Sequence, residues 1–222
     1  MSEIARVHRS TIWLPMRDRL LWQLADSAFP AGGFAHSFGF EALRALGMLR
    51  HEPELVARLD ELAWHTAYAV LPFLGESHRG EAAAADRACD RFTSNHVANR
   101  ASRAQGRAFL LAIGALLDVR CDLPFGHLPV AVGAALAERV ALDDARELVM
   151  YTTQRSALSA AVRLGVVGPL RAQALLLAAA PTAARALAET TGLAAEAARS
   201  ASPMVELAQS AHDRLEVRLF QS

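Results

Sequence analysis

The residues best suited to metal or acid–base chemistry are eight histidines, spread over the whole chain. They are His8, His36, His51, His65, His78, His96, His127 and His212. None forms a His-x-x-x-His or His-Glu-x-x-His pair, the spacing at which one helix face presents two zinc ligands. The glycine-rich phosphate loop of nucleotide hydrolases and the Gly-x-Ser-x-Gly turn of serine hydrolases are also absent. The sequence therefore predicts no metal site, no cofactor, no catalytic residues and no enzyme.

An unusual stretch surrounds the second histidine. Residues 29–41 read F-P-A-G-G-F-A-H-S-F-G-F-E, with two adjacent glycines that permit a turn with positive φ. Phe34 and Phe38 are four residues apart, which predicts that both pack one face of a helix. A lone histidine such as His36 is more often a half-buried side chain with satisfied hydrogen bonds than a metal ligand. We therefore interpret the stretch as a tight corner packed with aromatic rings.

Two weaker patterns involve charged residues at helical spacing. His212 and Glu216 are four residues apart and are predicted to share a helix face as a surface pair. Arg100, Arg103 and Arg107 line one face of another predicted helix. A solvated stripe is the simpler interpretation of these arginines, and a contact surface for an acidic partner is the alternative.

Composition excludes several classes of function. The chain has 222 residues, of which 53% are hydrophobic, and its formal net charge is zero. A nucleic-acid-binding protein usually shows a basic excess, so we expect no nucleic-acid partner. Low net charge also favours self-association. The two cysteines, Cys89 and Cys121, have no partner at metal-ligand spacing and are predicted to be reduced thiols.

No segment has the length and hydrophobicity of a membrane span or a signal peptide. The first ten residues lack a continuous apolar stretch. The longest weakly polar run is the thirteen residues between Arg171 and Arg185, interrupted by Pro181. A membrane-spanning helix needs roughly 18 or more apolar residues. We therefore expect a soluble, cytoplasmic protein without a membrane partner.

The periodicity of the chain is helical, and no long stretch alternates with period two. This predicts an all-α fold, a single compact domain of about eight to ten helices. Helices are expected at about 17–27, 35–46, 53–71, 77–93, 95–119, 130–140, 143–164, 170–179, 182–190 and 203–220. We expect residues 1–15 to be a flexible segment and residues 16–222 to form the domain, which ends in a helix and a short tail.

The third predicted helix shows the clearest pattern. Leu55, Leu59 and Leu62 recur at the i, i+4, i+7 spacing of one buried helix face. Pro72 and Gly75 follow and are predicted to end this segment.

Four motifs, in order along the chain, resemble the UreF family of urease accessory proteins. Residues 25–41, A-D-S-A-F-P-A-G-G-F-A-H-S-F-G-F-E, resemble the N-terminal signature of that family. Residues 102–110, S-R-A-Q-G-R-A-F-L, are similar to its central helix, and residues 156–164, S-A-L-S-A-A-V-R-L, to the segment before its third motif. Residues 202–222 resemble the family terminus, with an Arg-Leu-Phe sequence near the end.

The resemblance implies a UreF-like, all-helical and commonly dimeric assembly factor without enzymatic activity. Such a protein binds the scaffold protein UreD, called UreH in some organisms, and helps to recruit the GTPase UreG to apo-urease. The complex inserts nickel into urease, and the accessory protein regulates GTP hydrolysis by UreG. The partner-binding residues expected from the motifs are Gly32, Gly33, Phe34, His36, Ser37, Glu41, His212, Arg218, Leu219 and Phe220.

The chain departs from the family pattern at residues 166–169, which read V-V-G-P, and at Phe34 and Glu216. These departures leave a second hypothesis open, a divergent dimeric helical module that binds proteins unrelated to urease. A third hypothesis is a hydrolase with its active site in a helical bundle. It requires a cleft that joins His36 or His212 to a carboxylate with a strongly shifted pKa.

Overall fold

The computed structural model describes residues 18–222, and the regular secondary structure of this part of the chain is helical, with no strand. The helices are α1 (18–25), α2 (Phe40–Ala45), α3 (Glu52–His65), α4 (Leu71–Glu76), α5 (Ala82–Phe92), α6 (His96–Leu117), α7 (Leu128–Leu136), α8 (Leu142–Arg163), α9 (Pro169–Ala178), α10 (Ala180–Glu189) and α11 (Pro203–Ala211). The predicted all-α fold is confirmed. The segment predicted to be flexible, residues 1–15, lies outside the described residues.

Capping side chains fix the starts of two of these helices. The first backbone N–H groups of a helix have no partner within it, and a short polar side chain can accept their hydrogen bonds. Asn95 Oδ1 accepts from the N–H of Val97 at 3.0 Å at the start of α6. Ser202 Oγ accepts from the N–H of Val205 at 3.4 Å at the start of α11. Both helices therefore begin where a capping residue stands in the sequence.

Helix α8 lies at the centre of the molecule. Its first half contributes Met150 to a core shared with α3, α4, α6, α7 and α10. Its second half contributes Leu158 to another core shared with α2, α3, α9 and α11. The three leucines predicted to form the buried face of α3 are buried in this second core, which confirms that prediction. Because α8 contributes to both cores, it positions the elements on either side of it.

The chain does not leave the helical path at Pro72, so the predicted end of the third helix there is wrong. The π-helical segment Thr66–Val70 joins α3 to α4, and the helical path continues to a kink at Gly80, which has φ 106°. Proline cannot donate a hydrogen bond to the carbonyl four residues earlier, and a π-helical turn accommodates such a defect. The carbonyl at that position, on Tyr68, accepts instead from the N–H of Arg199 at 3.2 Å.

Helix α2 begins at Phe40, five residues later than predicted. Phe38 has φ 54° and Gly39 has φ 84°, so both lie in the left-handed region and interrupt the helix. Phe34 and Phe38 therefore do not share a helix face, and that prediction is wrong. The ring of Phe40 is fully buried.

Helix α11 ends at Ala211, although the sequence pattern predicts helix to residue 220. A short 3₁₀ turn, His212–Arg214, follows, and residues 215–222 form a non-helical segment that we call the tail. The backbone N–H groups of Leu219 and Phe220 donate to the Glu41 carboxylate instead of continuing the helix. Because the helix has ended, the predicted pair of His212 and Glu216 does not form.

Candidate partner-binding site

The stretch that holds most of the predicted site residues is residues 29–41, which we call the signature turn. Gly32 has φ 72° and precedes a 3₁₀ turn at Gly33–Ala35. At Gly39 a Cβ atom would lie 2.8 Å from the Cβ of Ala208 on α11, closer than side chains tolerate. Only glycine fits this position, because it combines a positive φ with the close approach of α11. The signature turn is thereby packed directly against the helix that leads to the tail.

One buried carboxylate, that of Glu41, connects the signature turn to the tail. It lies 3.0 Å from Nε2 of His212, which therefore acts as the donor. It also accepts from the N–H of Leu219 at 2.5 Å and from the N–H of Phe220 at 3.3 Å. Hydrogen bonds to a charged acceptor are stronger than neutral ones, so this carboxylate is well suited to hold the tail in place.

A second set of hydrogen bonds holds the last two residues of the tail. The N–H of Ser37 donates to the carbonyl of Ser222 at 2.6 Å, and the Ser37 hydroxyl donates to the same oxygen at 3.0 Å. The N–H of Gln221 donates to the carbonyl of Ala35 at 2.8 Å, and His36 Nδ1 contacts the Ser222 hydroxyl. The tail therefore pairs with the signature turn through backbone groups as well as side chains.

The two histidines of this site are buried. Burial, and in second place the nearby His212, lower the pKa of His36 to about 4. His36 is therefore neutral near pH 7, so its ring binds the tail as a hydrogen-bonding group without charge. His212 is completely buried, and its Nδ1 has no hydrogen-bond partner among the described residues. The His212–Glu41 pair that a hydrolase would need is thus enclosed, and its carboxylate is bonded to tail amides.

The aromatic ring near the end of the tail is anchored by a cation. Phe220 is buried, and the guanidinium of Arg163 lies 4.0 Å from the centre of its ring. A cation over an aromatic face at this distance is attractive, by about 0.5–2 kcal/mol depending on exposure. Arg163 is the last residue of α8, so this contact attaches the tail to the central helix.

A cluster of cationic side chains surrounds Asp213 at the surface. Its carboxylate lies 3.0 Å from Nε2 of His96, 3.0 Å from the guanidinium of Arg100 and 3.4 Å from that of Arg218. The hydrogen bond from Arg100 is the largest cause that holds the pKa of Asp213 below its usual range. Two arginines face this one carboxylate, so the cluster carries excess positive charge even without a contribution from His96.

The structure divides the predicted site residues into two groups. An inward group holds the tail to the signature turn and consists of His36, Ser37, Glu41, His212 and Phe220. An outward group consists of the side chains of Arg218 and Leu219, which are exposed. Gly32 and Gly33 shape the signature turn. The side chain of Phe34 lies outside the described part of the chain. Whether any of these residues meets a partner stays a prediction.

Sequence reasoning missed a second buried network, on the other side of α6. The Asp86 carboxylate accepts from the N–H groups of Phe125, Gly126 and His127 at 2.6, 2.9 and 3.0 Å. It fixes the loop before α7 to α5. The only sequence signal was a pair of acids four residues apart, Asp86 and Asp90, in an alanine-rich segment.

The same network contains a serine, a histidine and an aspartate in contact. His127 Nε2 lies 3.2 Å from Asp90, and its Nδ1 lies 3.2 Å from the Ser102 hydroxyl. That hydroxyl oxygen also accepts from the N–H of Leu128 at 3.2 Å, at the first residue of α7. His127 is completely buried. The arrangement therefore holds the start of α7 against α6. Within residues 18–222, no three histidine, cysteine or acidic side chains come close enough together to hold a metal ion.

The fold and site describe an all-helical protein in which a glycine-rich turn holds the tail through a buried carboxylate. The sequence profile of the UreF family matches residues 16–180. Urease accessory protein F of Oryza sativa subsp. indica is 31% identical over 90% of this chain and 83% of its own length. Its namesake in Arabidopsis thaliana is 28% identical over 90% of this chain and 91% of its own length. Urease accessory protein UreF of Trichodesmium erythraeum is 30% identical over 90% of this chain and 94% of its own length. The chain belongs to the UreF family.

Proposed function

We propose that this protein is a urease accessory protein that works as an assembly chaperone without enzymatic activity. Together with the UreD/UreH scaffold and the UreG GTPase it promotes nickel insertion into apo-urease and regulates GTP hydrolysis by UreG. Nickel is the cargo of this process. The observation that carries the proposal is the match to the UreF family over residues 16–180, with relatives that are named urease accessory proteins.

The surface beside the tail supports a role in partner binding. The side chain of Arg218 is 46% exposed, and Leu219 and Val217 are 66% and 81% exposed. Arginine is one of the residue types that dominate the binding energy of protein interfaces. The buried bonds to Glu41 hold the backbone on either side of these side chains. A tail that is already ordered loses less conformational entropy on binding, so this arrangement favours affinity.

Separate capture experiments test the proposal. The full chain is co-expressed with the cognate scaffold alone, with the GTPase alone and with both, and each mixture is purified through a tag on this chain. We expect a stable complex with the scaffold and recruitment of the GTPase when both are present. Urease activity in a strain that lacks this gene is measured in parallel after nickel addition. A folded protein that captures neither partner and does not restore urease activity would contradict the proposal.

Self-association in the cytoplasm belongs to the same proposal. The chain has no net charge, and α9 carries exposed Leu170 and Leu177 on its outer face. Between residues 18 and 222 no helix is both long and apolar enough to cross a membrane. We expect a homodimer, which light scattering coupled to size-exclusion chromatography measures directly. A mass of about 24 kDa for the isolated protein at every concentration would contradict it.

A second candidate is a dimeric helical module that binds partners unrelated to urease. It is motivated by residues 166–169, where the chain departs from the family pattern. These residues lead into α9, with Gly168 before its first turn and Pro169 within it, and so position the exposed apolar face of that helix. A gene neighbourhood without urease subunits, together with failed capture of scaffold and GTPase, would favour this candidate.

A further inference from the structure

A cavity of about 220 Å³ lies inside the described part of the molecule. Its wall is formed by the end of α3, by α6, by α8 and by the signature turn. Much of the wall is apolar, with Leu62, Phe109 and Leu148 among its side chains. A cavity of this size is large enough for several water molecules or one small organic molecule.

Four polar side chains face this cavity without a partner in the protein. They are His65, Thr66, Gln105 and Ser156. Nδ1 of His65 is buried, and Thr66, Ser156 and Gln105 are only 2%, 6% and 8% exposed. None of these four side chains hydrogen-bonds to another residue in the range 18–222. Thr152, another polar residue in the wall, differs because its hydroxyl donates to the carbonyl of Leu148 at 2.8 Å.

Leaving a buried polar atom such as Nδ1 of His65 without a hydrogen bond costs about 1–3 kcal/mol. The side chains of Thr66, Gln105 and Ser156 line the same space, so the cavity favours a guest that can form hydrogen bonds. The guest must offer both a donor and an acceptor, because the set includes an amide, two hydroxyls and an imidazole. Its remaining surface must be apolar to match the leucine and phenylalanine side chains of the wall.

The guest is uncharged, because the described part of the cavity offers no cluster that would balance a buried ion. Burial lowers the pKa of His65, so its ring is neutral near pH 7, and nearby Glu206 only partly opposes this effect. The acidic side chains in the wall, Asp26 and Glu206, do not join His65 in a group that could hold a metal ion. Arg155 already donates to the carbonyl of Ala25. Burying an unpaired charge costs far more than burying a neutral polar group.

A local irregularity of the backbone lies at the same place. The π-helical segment Thr66–Val70 begins directly after His65, and its first residue forms part of the wall. Such π-helical turns occur frequently at functional sites, because they alter the direction of side chains along a helix.

We propose that this cavity is a binding site for a small uncharged organic molecule that carries a hydrogen-bond donor and acceptor on an apolar body, as a carboxamide does. Thr66, Gln105, Ser156 and His65 bind its polar group, and the leucine and phenylalanine side chains contact the apolar part. His36 and Ser222 also line the cavity, so the site adjoins the contacts that hold the tail.

Titration of the isotope-labelled full chain with benzamide, followed by two-dimensional NMR, tests this proposal. Benzamide is a neutral carboxamide on an apolar ring, and benzoate has the same shape with a negative charge. We expect saturable shifts for signals of residues 65, 66 and 105 with benzamide and none with benzoate. If benzamide causes no shifts, the cavity holds only water and the proposal is overturned. The proposal is also overturned if benzoate binds as well as benzamide.

Matched variants locate the binding site. Thr66→Val and Gln105→Leu each remove a polar group that has no partner in the protein, and each should weaken benzamide binding about five- to tenfold. Thr152→Val is the control, because that hydroxyl already donates to Leu148, and it should change binding less than about twofold. Urea unfolding checks the fold, and Thr66→Val should not lower the midpoint. Equal weakening by all three variants, or by none, would contradict the assignment.

Discussion

At the scale of single residues, the position of the tail depends on the carboxylate of Glu41. It accepts hydrogen bonds from one buried imidazole and from two consecutive tail amides. Three donors around one acceptor group leave no place for an N–H of a side-chain amide. The identity of this residue as an acid therefore follows from its surroundings in the folded chain.

We expect Glu41→Gln to destabilise the protein by about 2–3 kcal/mol, because the new amide points donors at groups that are themselves donors. Urea unfolding measures the free energy, and amide exchange of residues 219 and 220 reports whether the tail is released. Glu216→Gln is the control, since Glu216 lies in the tail and is exposed. If both variants unfold at the same midpoint as the wild type, the carboxylate does not hold the tail.

The lowered pKa of His36 predicts a pH dependence of stability. Its pKa is about 4 in the folded chain and 6.5 for the free side chain, so between these values the unfolded chain binds more protons. Stability should therefore fall as pH decreases through this window and stop falling for this reason below about pH 4. Between pH 7 and pH 4.5 the wild type should lose about 2–3 kcal/mol more than His36→Asn. Equal losses in urea unfolding would show that His36 does not titrate in this window.

The sequence identified the residues of this site but not their contacts. His36, Ser37, Glu41, His212 and Phe220 were selected from motifs that resemble a known family. The bonds between them join positions 171 to 186 residues apart in the chain. No periodicity or capping rule reports contacts at such separations, because those rules describe neighbours on one helix. The role of these residues in holding the tail therefore required the structure.

At the scale of elements, the close packing of α6 against the loop before α7 depends on Gly106. A Cβ atom there would lie 2.0 Å from the carbonyl oxygen of Gly126, so Gly106→Ala must displace the loop. We expect a loss of about 1–3 kcal/mol in the free energy of unfolding, as for other overpacked sites. On the same helix, Gly114→Ala has its nearest contact at 3.0 Å, and its better helix propensity, by about 1 kcal/mol, should offset most of the strain. Equal thermal stability of the two variants would contradict this account.

The loop before α7 is also held by the buried carboxylate of Asp86. Asp86→Asn replaces an acceptor of three backbone hydrogen bonds by a group that is half donor, and should cost about 3 kcal/mol. Asp122→Asn, at an exposed position in the loop, is the matched control and should be nearly neutral. Thermal unfolding compares the two, and a neutral Asp86→Asn would show that the loop is held by other contacts.

Helix interiors were easier to predict from the sequence than helix ends. The patterns placed α6 and α8 within a few residues of their observed bounds. They placed the start of α2 and the end of α11 wrongly. At the start of α2, the positive φ of Phe38 interrupts a sequence that favours helix. At the end of α11, long-range hydrogen bonds to Glu41 replace helical ones. Tertiary contacts decided both ends, and local propensity does not contain that information.

At the scale of the whole molecule, the inward and outward groups of the site depend on each other. The buried bonds to Glu41 and the contact of Phe220 with Arg163 hold the backbone of the tail. This leaves Arg218 at the surface, beside Arg100 and His96, where Asp213 balances only part of the positive charge. We infer that the outward group forms the contact surface and that the inward group keeps it in one conformation.

This division predicts different effects for two neighbouring residues. Arg218→Ala should leave the free energy of unfolding, measured in urea, within about 0.5 kcal/mol of the wild type, because exposed ion pairs contribute little. It should nevertheless weaken capture of the scaffold and GTPase, since it removes an exposed arginine from the proposed surface. Phe220→Ala should instead destabilise the chain by about 3 kcal/mol or more, because that ring is buried.

Arg185→Ala is the matched control for Arg218→Ala. Arg185 is an exposed arginine on α10, and its side chain forms one hydrogen bond among the described residues, to the Thr182 hydroxyl. Its loss should change neither stability nor partner capture, and a similar loss of capture in both arginine variants would indicate a general effect of charge. If Arg218→Ala unfolds the isolated protein, Arg218 is a structural residue. If it leaves capture intact, the surface beside the tail is not where these partners bind.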